Sequence, residues 1–244
     1  MRIEIDPLRT LPEVRADDDL AVLIREAASR ENQSLDSSVV VAVAQKIVSK
    51  SEGAVVDLRT VEPSRLAVRW AAEWKKDPRL IEVILMQSRR IVKMDRGVLI
   101  AETQHGFVCA HAGVDQSNAA GADLALVLPT DPDPSARCLR EKLGCGAVIV
   151  TDTFGRTWRE GLVDVAIGVA GLEPIQDLRG SVDRDGRALS STIVAVADQL
   201  AAAAGLVMRK ADGCPVALIR GFEWQPAPGG IKTLLRSPEH DLFR

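Results

Sequence analysis

The chain has no tyrosine, only 3% aromatic residues and a formal net charge of −3. So few aromatics disfavour a base-stacking surface for single-stranded nucleic acid. The slight negative charge argues against nonspecific binding to a polyanion, which rests on clustered cations displacing counterions. An anionic ligand must instead be met by a local group of Lys and Arg. Cysteines are also few. Cys109, Cys138, Cys145 and Cys214 show neither CxxC pairing nor the framework of a small secreted domain. They read as buried, reduced thiols, which makes the cytoplasm the expected compartment. His105, His111 and His240 are too scattered for a recognisable zinc site. No run of about 18 apolar residues suggests a membrane span, and the N-terminus lacks an apolar signal segment. The common cradles are missing too: no G-x-x-x-x-G-K-[ST], no G-x-G-x-x-G after a strand, no G-x-S-x-G elbow and no HExxH. A nucleotide bound here is held by some other device.

What is present is an ordinary globular composition, 46% hydrophobic and 27% charged over 244 residues. That length supports one large domain or two interlocked small ones. Ile3 to Ile5 alternates with charges and predicts a short strand. Asp17 to Asp19 offers an N-cap for a helix near 19–31, whose apolar face is Leu20, Leu23, Ile24 and Ala27. Segments 63–76 and 78–88 predict amphipathic helices, with Trp70 and Trp74 as packing rather than stacking residues. Three strands follow, at 91–93, 98–102 and 107–114, then a helix near 135–143. Ser191 to Met208 is a small-residue helix, and Val216 to Ile219 a further strand. Gly161 to Gly171 fits either a strand or a loop that admits close backbone approach. The tail from Pro226 is expected to wrap the surface. There is no internal repeat, and the sheets read as mixed.

Three segments carry chemistry. Ala147 to Val150 is a buried-strand run that breaks into Thr151-Asp152-Thr153, followed by Arg156 and Arg159. Strand ends are where α/β proteins gather ligands, and this one offers a carboxylate and hydroxyls to a hard cation and guanidinium groups to anions. A turn with solvated charges is the bland alternative. Val39 to Ala44 is a second buried run, and it ends in Lys46 and Lys50. On a helical turn these two share one face, either for phosphate or for solvent. The predicted strand 107–114 runs into Asp115-Gln116-Ser117-Asn118, a second strand-end carboxylate with a hydroxyl and an amide beyond it, which taken alone reads as an Asx turn.

Taken together, these pieces resemble the coenzyme F420-0:L-glutamate ligases, or F420:γ-glutamyl ligases. The matching stretches are Gln45 to Gly53, Gly113 to Asn118, Thr151 to Arg156 and Asp164 to Gly171, with Ala197-Asp198, Arg220-Gly221 and the closing Arg236 to Arg244. They cover essentially the full length, in order. The resemblance implies an α+β fold of mixed sheets and packed helices, in two intimately joined subdomains, with residues 1–244 forming a single ligase domain. No part of the chain resembles the nitroreductase-like domain into which some relatives continue. It implies a GTP-dependent amide ligase that joins L-glutamate to the lactyl carboxylate of coenzyme F420-0 through an acyl phosphate, adding one or more γ-linked glutamates. GTP, F420-0 and glutamate are the implied partners, Mg²⁺ or Mn²⁺ the implied metal with K⁺ as a further cation, and a homodimer the implied assembly. Neither nucleic acid nor membrane is expected as a partner. Carried over residue by residue, Asp115, Asp152 and Thr153 match metal ligands. Lys46, Lys50, Asn118 and the loop Thr10-Leu11-Pro12 match nucleotide contacts. Arg156 is added on its chemistry, as an anion-binding group beside the catalytic carboxylates, with helix-end or core salt bridging as the alternative. Where the family commonly carries Gly then Gln or Glu after Met208, this chain has Arg209 and Lys210. A cation cannot ligate Mg²⁺, so Asp212 or water completes the site, or Lys210 meets phosphate directly, or the substrate has changed. A paralogue acting on another carboxylated cofactor, and a non-catalytic nucleotide-binding protein, are the rival readings.

Overall fold

In the computed structural model, which describes residues 2–116, 123–209 and 212–242, helices and mixed sheets form an α+β arrangement. The first part runs β1 (Glu4–Pro7), α1 (Leu20–Arg30), β2 (Val40–Ala44), α2 (Gln45–Ser51) and β3 (Val55–Asp57). Next come α3 (Arg65–Trp74), α4 (Pro78–Met86) and the meander β4 (Ser88–Asp95), β5 (Val98–Thr103) and β6 (Val108–Ala110). β7 (Leu124–Leu126) and α5 (Pro132–Leu143) lead to a long hairpin, β8 (Ala147–Arg156) and β9 (Arg159–Ala170). The chain closes with the short pair β10 (Gln176–Asp177) and β11 (Ile193–Val194), then α6 (Val196–Met208) and β12 (Val216–Arg220).

Local chemistry starts these helices where the sequence suggests. The Asp19 carboxylate caps α1 by accepting from the N–H groups of Ala21 (3.0 Å) and Val22 (3.3 Å). Ser64 caps α3, and Asp77 caps α4 with Pro78 in its first turn.

The central sheet has the order β1-β12-β2-β8-β9, and only β2 and β8 run parallel. Strands in its middle read as unbroken apolar runs because both faces are covered. α6 packs on β9, β1 and β12, while α5 packs on β8, β9 and α1. The main core gathers around this sheet. Two smaller clusters form beside it, one under α3, α4 and β5, the other around Leu58, Val83 and Ala125. Asp133 in α5 ties the tail to the sheet, accepting from Val169 N–H (2.9 Å) and Ile231 N–H (3.0 Å).

Three expectations need correction. The strand from Ala147 does not end at Thr151 but continues to Arg156, and the stretch from Gly161 belongs to its hairpin partner, Arg159–Ala170. What ends at Thr151 is the pairing with β2, whose last register pair is Ala44↔Thr151. The strand predicted over 107–114 stops at Ala110, because His111, Ala112 and Gly113 all take left-handed backbone angles (φ 54°, 52° and 73°). Finally, α6 begins at Val196 rather than Ser191, since Ile193–Val194 pairs with β10.

β9 carries one residue more than β8 between the pairs Val150↔Gly168 and Thr151↔Ala166. Such a bulge re-aims the side chains that follow it. On one side of it Gly168 faces α5, where a Cβ would stand 2.6 Å from the Pro132 carbonyl carbon. On the other, Asp164 faces α6 at Gly205. Gly168→Ala should therefore overpack the α5 contact and lower unfolding stability by about 1–3 kcal/mol. Chemical denaturation checks this; an unchanged midpoint would show that α5 shifts without cost.

Candidate active site

β2 and β8 end their pairing side by side, and the residues just past that point come together. α2 follows β2 without a gap, so Lys46 leaves the sheet one residue into the helix. Its Nζ lies 2.5 Å from Asp115 Oδ2, with the lysine 26% and the aspartate 31% exposed. Asp115 is held by backbone pairing, donating to Leu126 O (3.0 Å) and accepting from Leu126 N–H (2.8 Å). The left-handed run His111–Gly113 delivers it there. Two successive non-glycine residues with positive φ each cost on the order of 1 kcal/mol, the kind of strain found at functional sites.

Asp152 sits in β8, one residue beyond the last pair with β2. Its Oδ1 accepts from the Thr153 N–H at 2.8 Å. β6 packs against β8 and brings Cys109 into its field. Burial first, and the Asp152 charge second, push the Cys109 thiol up to about 12, while a bond from the Gly113 N–H acts the other way. One thiol thus marks where the segment leading to Asp115 meets the strand that carries Asp152.

Strand alternation sends Thr153 to the side opposite Asp152. There the Thr153 hydroxyl donates to Asp164 Oδ1 at 2.5 Å, its register partner on β9. Nearby Asp198, in the first turn of α6, accepts from Ala166 N–H (2.9 Å), and burial raises its carboxyl above the usual range.

Lys50 lies one turn beyond Lys46 and is 14% exposed. It pairs with Glu13, which is 73% exposed on the loop that also carries Thr10, Leu11 and Pro12. That loop is braced on α1: Glu31 Oε1 accepts from the N–H groups of Arg9 and Thr10, both at 2.7 Å, and the Thr10 hydroxyl donates to Ala27 O at 3.4 Å. Glu13 was not singled out from the sequence; its only signal is its place next to Pro12. Cys109 and Asp164 were also missed as site neighbours, because only the register of β6, β8 and β9 reveals them.

The structure therefore brings Lys46 to Asp115, and Lys50 to the Thr10–Pro12 loop. Arg156 is placed elsewhere. It pairs with Arg159 at the exposed end of the β8–β9 hairpin, bonds to Glu160 O, and stands four residues past Asp152, about 13 Å along the strand. Asn118 and Lys210 lie outside the described residues. Arg209 ends α6 and reaches Asp212 at 3.8 Å. Among the described residues, no group of three or more His, Cys, Asp or Glu is arranged to hold a metal. The donors at hand are oxygens: the Asp115 carboxylate beside Lys46, the Asp152 carboxylate, and the Thr153 hydroxyl on the opposite face of β8. Oxygens of this kind suit Mg²⁺-type cations, which are held by one or two protein groups with waters and substrate phosphates completing the shell.

Residues 9–221 match the F420-0:Gamma-glutamyl ligase family. The chain belongs to that family. It is similar over its full length to the coenzyme F420:L-glutamate ligase of Methanothermobacter thermautotrophicus, at 46% identity with 100% of both chains covered. The enzyme of that name from Methanopyrus kandleri is 44% identical, over 99% of this chain and 98% of its own. The one from Haloarcula marismortui is 40% identical, over 99% and 96%. The chain is thus a ligase of the F420-0:γ-glutamyl family, and its fold is the α+β one expected. Among the described residues no helix is long and apolar enough to cross a membrane.

The thiols offer a direct check on this geometry. Cys109, Cys145 and Cys214 are buried and Cys138 is exposed, so not all four are hidden as the sequence suggested. Alkylation of the native protein at mildly alkaline pH should add a single label, at Cys138, and denaturation should add the rest. Intact-mass analysis reads this. Rapid labelling of Cys109 in the native state would contradict the packing of β6 on β8.

Proposed function

We propose that this chain uses GTP to join L-glutamate to the lactyl carboxylate of coenzyme F420-0, working as a homodimer. The observation that carries the reading is the Lys46–Asp115 pair, with Lys46 two residues and Asp152 one residue past the last β2–β8 register pair. The full-length likeness to enzymes named for this reaction supports it.

Transfer of a γ-phosphoryl group onto a carboxylate brings anion against anion, so the protein must align both and supply positive charge. Lys46 and Lys50, one turn apart on α2, suit the nucleotide phosphates. The braced loop of Thr10, Leu11 and Pro12 offers the nucleoside end a rigid wall, with Asn118 as a further contact. Asp115, Asp152 and Thr153 would hold Mg²⁺ or Mn²⁺, which when bound neutralises charge on the transferring phosphoryl group. K⁺ would act alongside. The substrate carboxylate oxygen takes the γ-phosphoryl group, and GDP leaves. The glutamate amine then attacks the acyl carbon, the C–N bond forms, the C–O bond to phosphate breaks, and the amine gives up a proton. Arg156 and Arg159 lie too far along the hairpin to reach the phosphoryl group from Asp152. They suit a more distant anionic group of the same substrate, such as its phosphodiester. Lys210, which lies outside the described residues, would meet phosphate directly.

Incubation with F420-0, GTP, glutamate and Mn²⁺, followed by mass analysis, tests the reading. A product heavier by one or more glutamyl residues, with matching GDP, is expected. Turnover with a different carboxylated acceptor and none with F420-0 would favour the paralogue.

Asp152→Asn should lower turnover at least ~100-fold while leaving the fold intact, because it removes charge without changing shape. Asp115→Asn should behave alike, and the two losses should be strongly non-additive if both act at one centre. Independent multiplication of the defects, measured by steady-state kinetics, would separate the two carboxylates. Lys50→Ala should raise KM for GTP with no change in melting temperature without ligand, since an ion pair with an exposed glutamate is worth under about 1 kcal/mol. A lowered melting temperature with unchanged KM would make Lys50 a structural residue.

A further inference from the structure

α6 is rich in alanine, yet Gly205 interrupts it where its last turn begins. Glycine is the poorest residue in a helix interior after proline, so its place there asks for a cause. The cause is Asp164. A Cβ at position 205 would overlap Asp164 Oδ2 and stand 2.9 Å from its Cγ. The carboxylate lies against the C-terminal half of a helix, where the helix dipole disfavours negative charge. Stability alone does not account for that position. The other carboxylate oxygen, Oδ1, accepts the Thr153 hydroxyl proton at 2.5 Å.

We propose that Asp164 is a positioning residue for Thr153 and that Gly205 is there to admit its carboxylate. A threonine hydroxyl has one proton and two lone pairs. Once the proton is given to Asp164, the lone pairs are left to face a cation and the rotor is fixed. This is how a carboxylate behind a metal-bound side chain orients it and raises its donor strength. The clamp has a second effect. Asp164 touches α6 one turn before Arg209, so it keys the segment after α6 to the strand that bears Asp152 and Thr153. The bulge at Ile167 makes this possible, because without the extra residue Asp164 would face α5.

The proposal rests on Thr153 serving the cation as described above, and the test separates the two. Binding of Mn²⁺ alone to the full chain, with no nucleotide or substrate, is followed by the paramagnetic resonance signal of free aqueous Mn²⁺. Asp164→Ala should weaken binding by ~10-fold or more. Asp164→Asn should recover most of it, since an amide oxygen accepts the same proton. Thr153→Val should match Asp164→Ala, and the double variant should be no weaker than Thr153→Val alone. Thermal melts are run beside each titration. Wild-type Mn²⁺ affinity in Asp164→Ala overturns the proposal, whatever its melting temperature. Should that variant fail to fold, wild-type affinity in Thr153→Val overturns it equally. If Asp115→Asn and Asp152→Asn weaken Mn²⁺ binding while the Asp164 and Thr153 variants do not, only the positioning role falls. If none of the four weakens it, the metal reading falls as well.

Discussion

The parallel contact between β2 and β8 is the constraint on which the rest depends. It is the single parallel pair in a sheet otherwise antiparallel, and it stops at Ala44↔Thr151. Past that point β2 has no strand partner left, and β8 has one on a single side. β2 turns at once into α2, because nothing remains for it to pair with, and that turn aims Lys46 across the gap. β8 keeps going because β9 still holds it, so Asp152 and Thr153 stand on an extended backbone with no strand paired on the β2 side. The carboxyl ends of parallel strands are the usual place for ligands in open sheets. Here the shared end of β2 and β8 stands in that place, in a fold with no doubly wound repeat.

Charge is managed locally rather than globally. The chain is slightly acidic overall, and its site offers carboxylates and lysines at close quarters. Lys46 on Asp115 and Lys50 on Glu13 set each cation against a carboxylate. The left-handed run at His111–Gly113 and the braced loop before Glu13 fix the partners from outside the sheet. Burial raises both the Asp198 carboxyl and the Cys109 thiol, and charge interactions strengthen where water is excluded.

Much of this was legible in the sequence where one physical signal dominated. Apolar runs located β2, β8 and β12, and Asp19 marked a helix start. Lys46, Asp115 and Asp152 drew notice because each follows such a run. What stayed hidden depends on long-range register. The continuation of β8 past Thr151 could not be seen, since Thr, Asp and Gly argue for a turn unless a partner strand is known. The facing of Asp164 depends on a bulge set by pairing between strands, which composition does not encode. Arg156 looked close to Asp152 in sequence, but an extended strand separates residues far more than a turn does. Asp164 lay inside a stretch already matched to the family, with nothing local to mark its role.

The first strand of the central sheet pairs with its last, β1 with β12, and β12 in turn is the neighbour of β2. Closing such distant pairings costs chain entropy before any contact repays it, which slows folding. On the ribosome, β2 therefore lacks one of its two neighbours until almost the whole chain has emerged. The carboxyl end of β2 thus reaches its final surroundings only in the finished polypeptide and not in any growing intermediate.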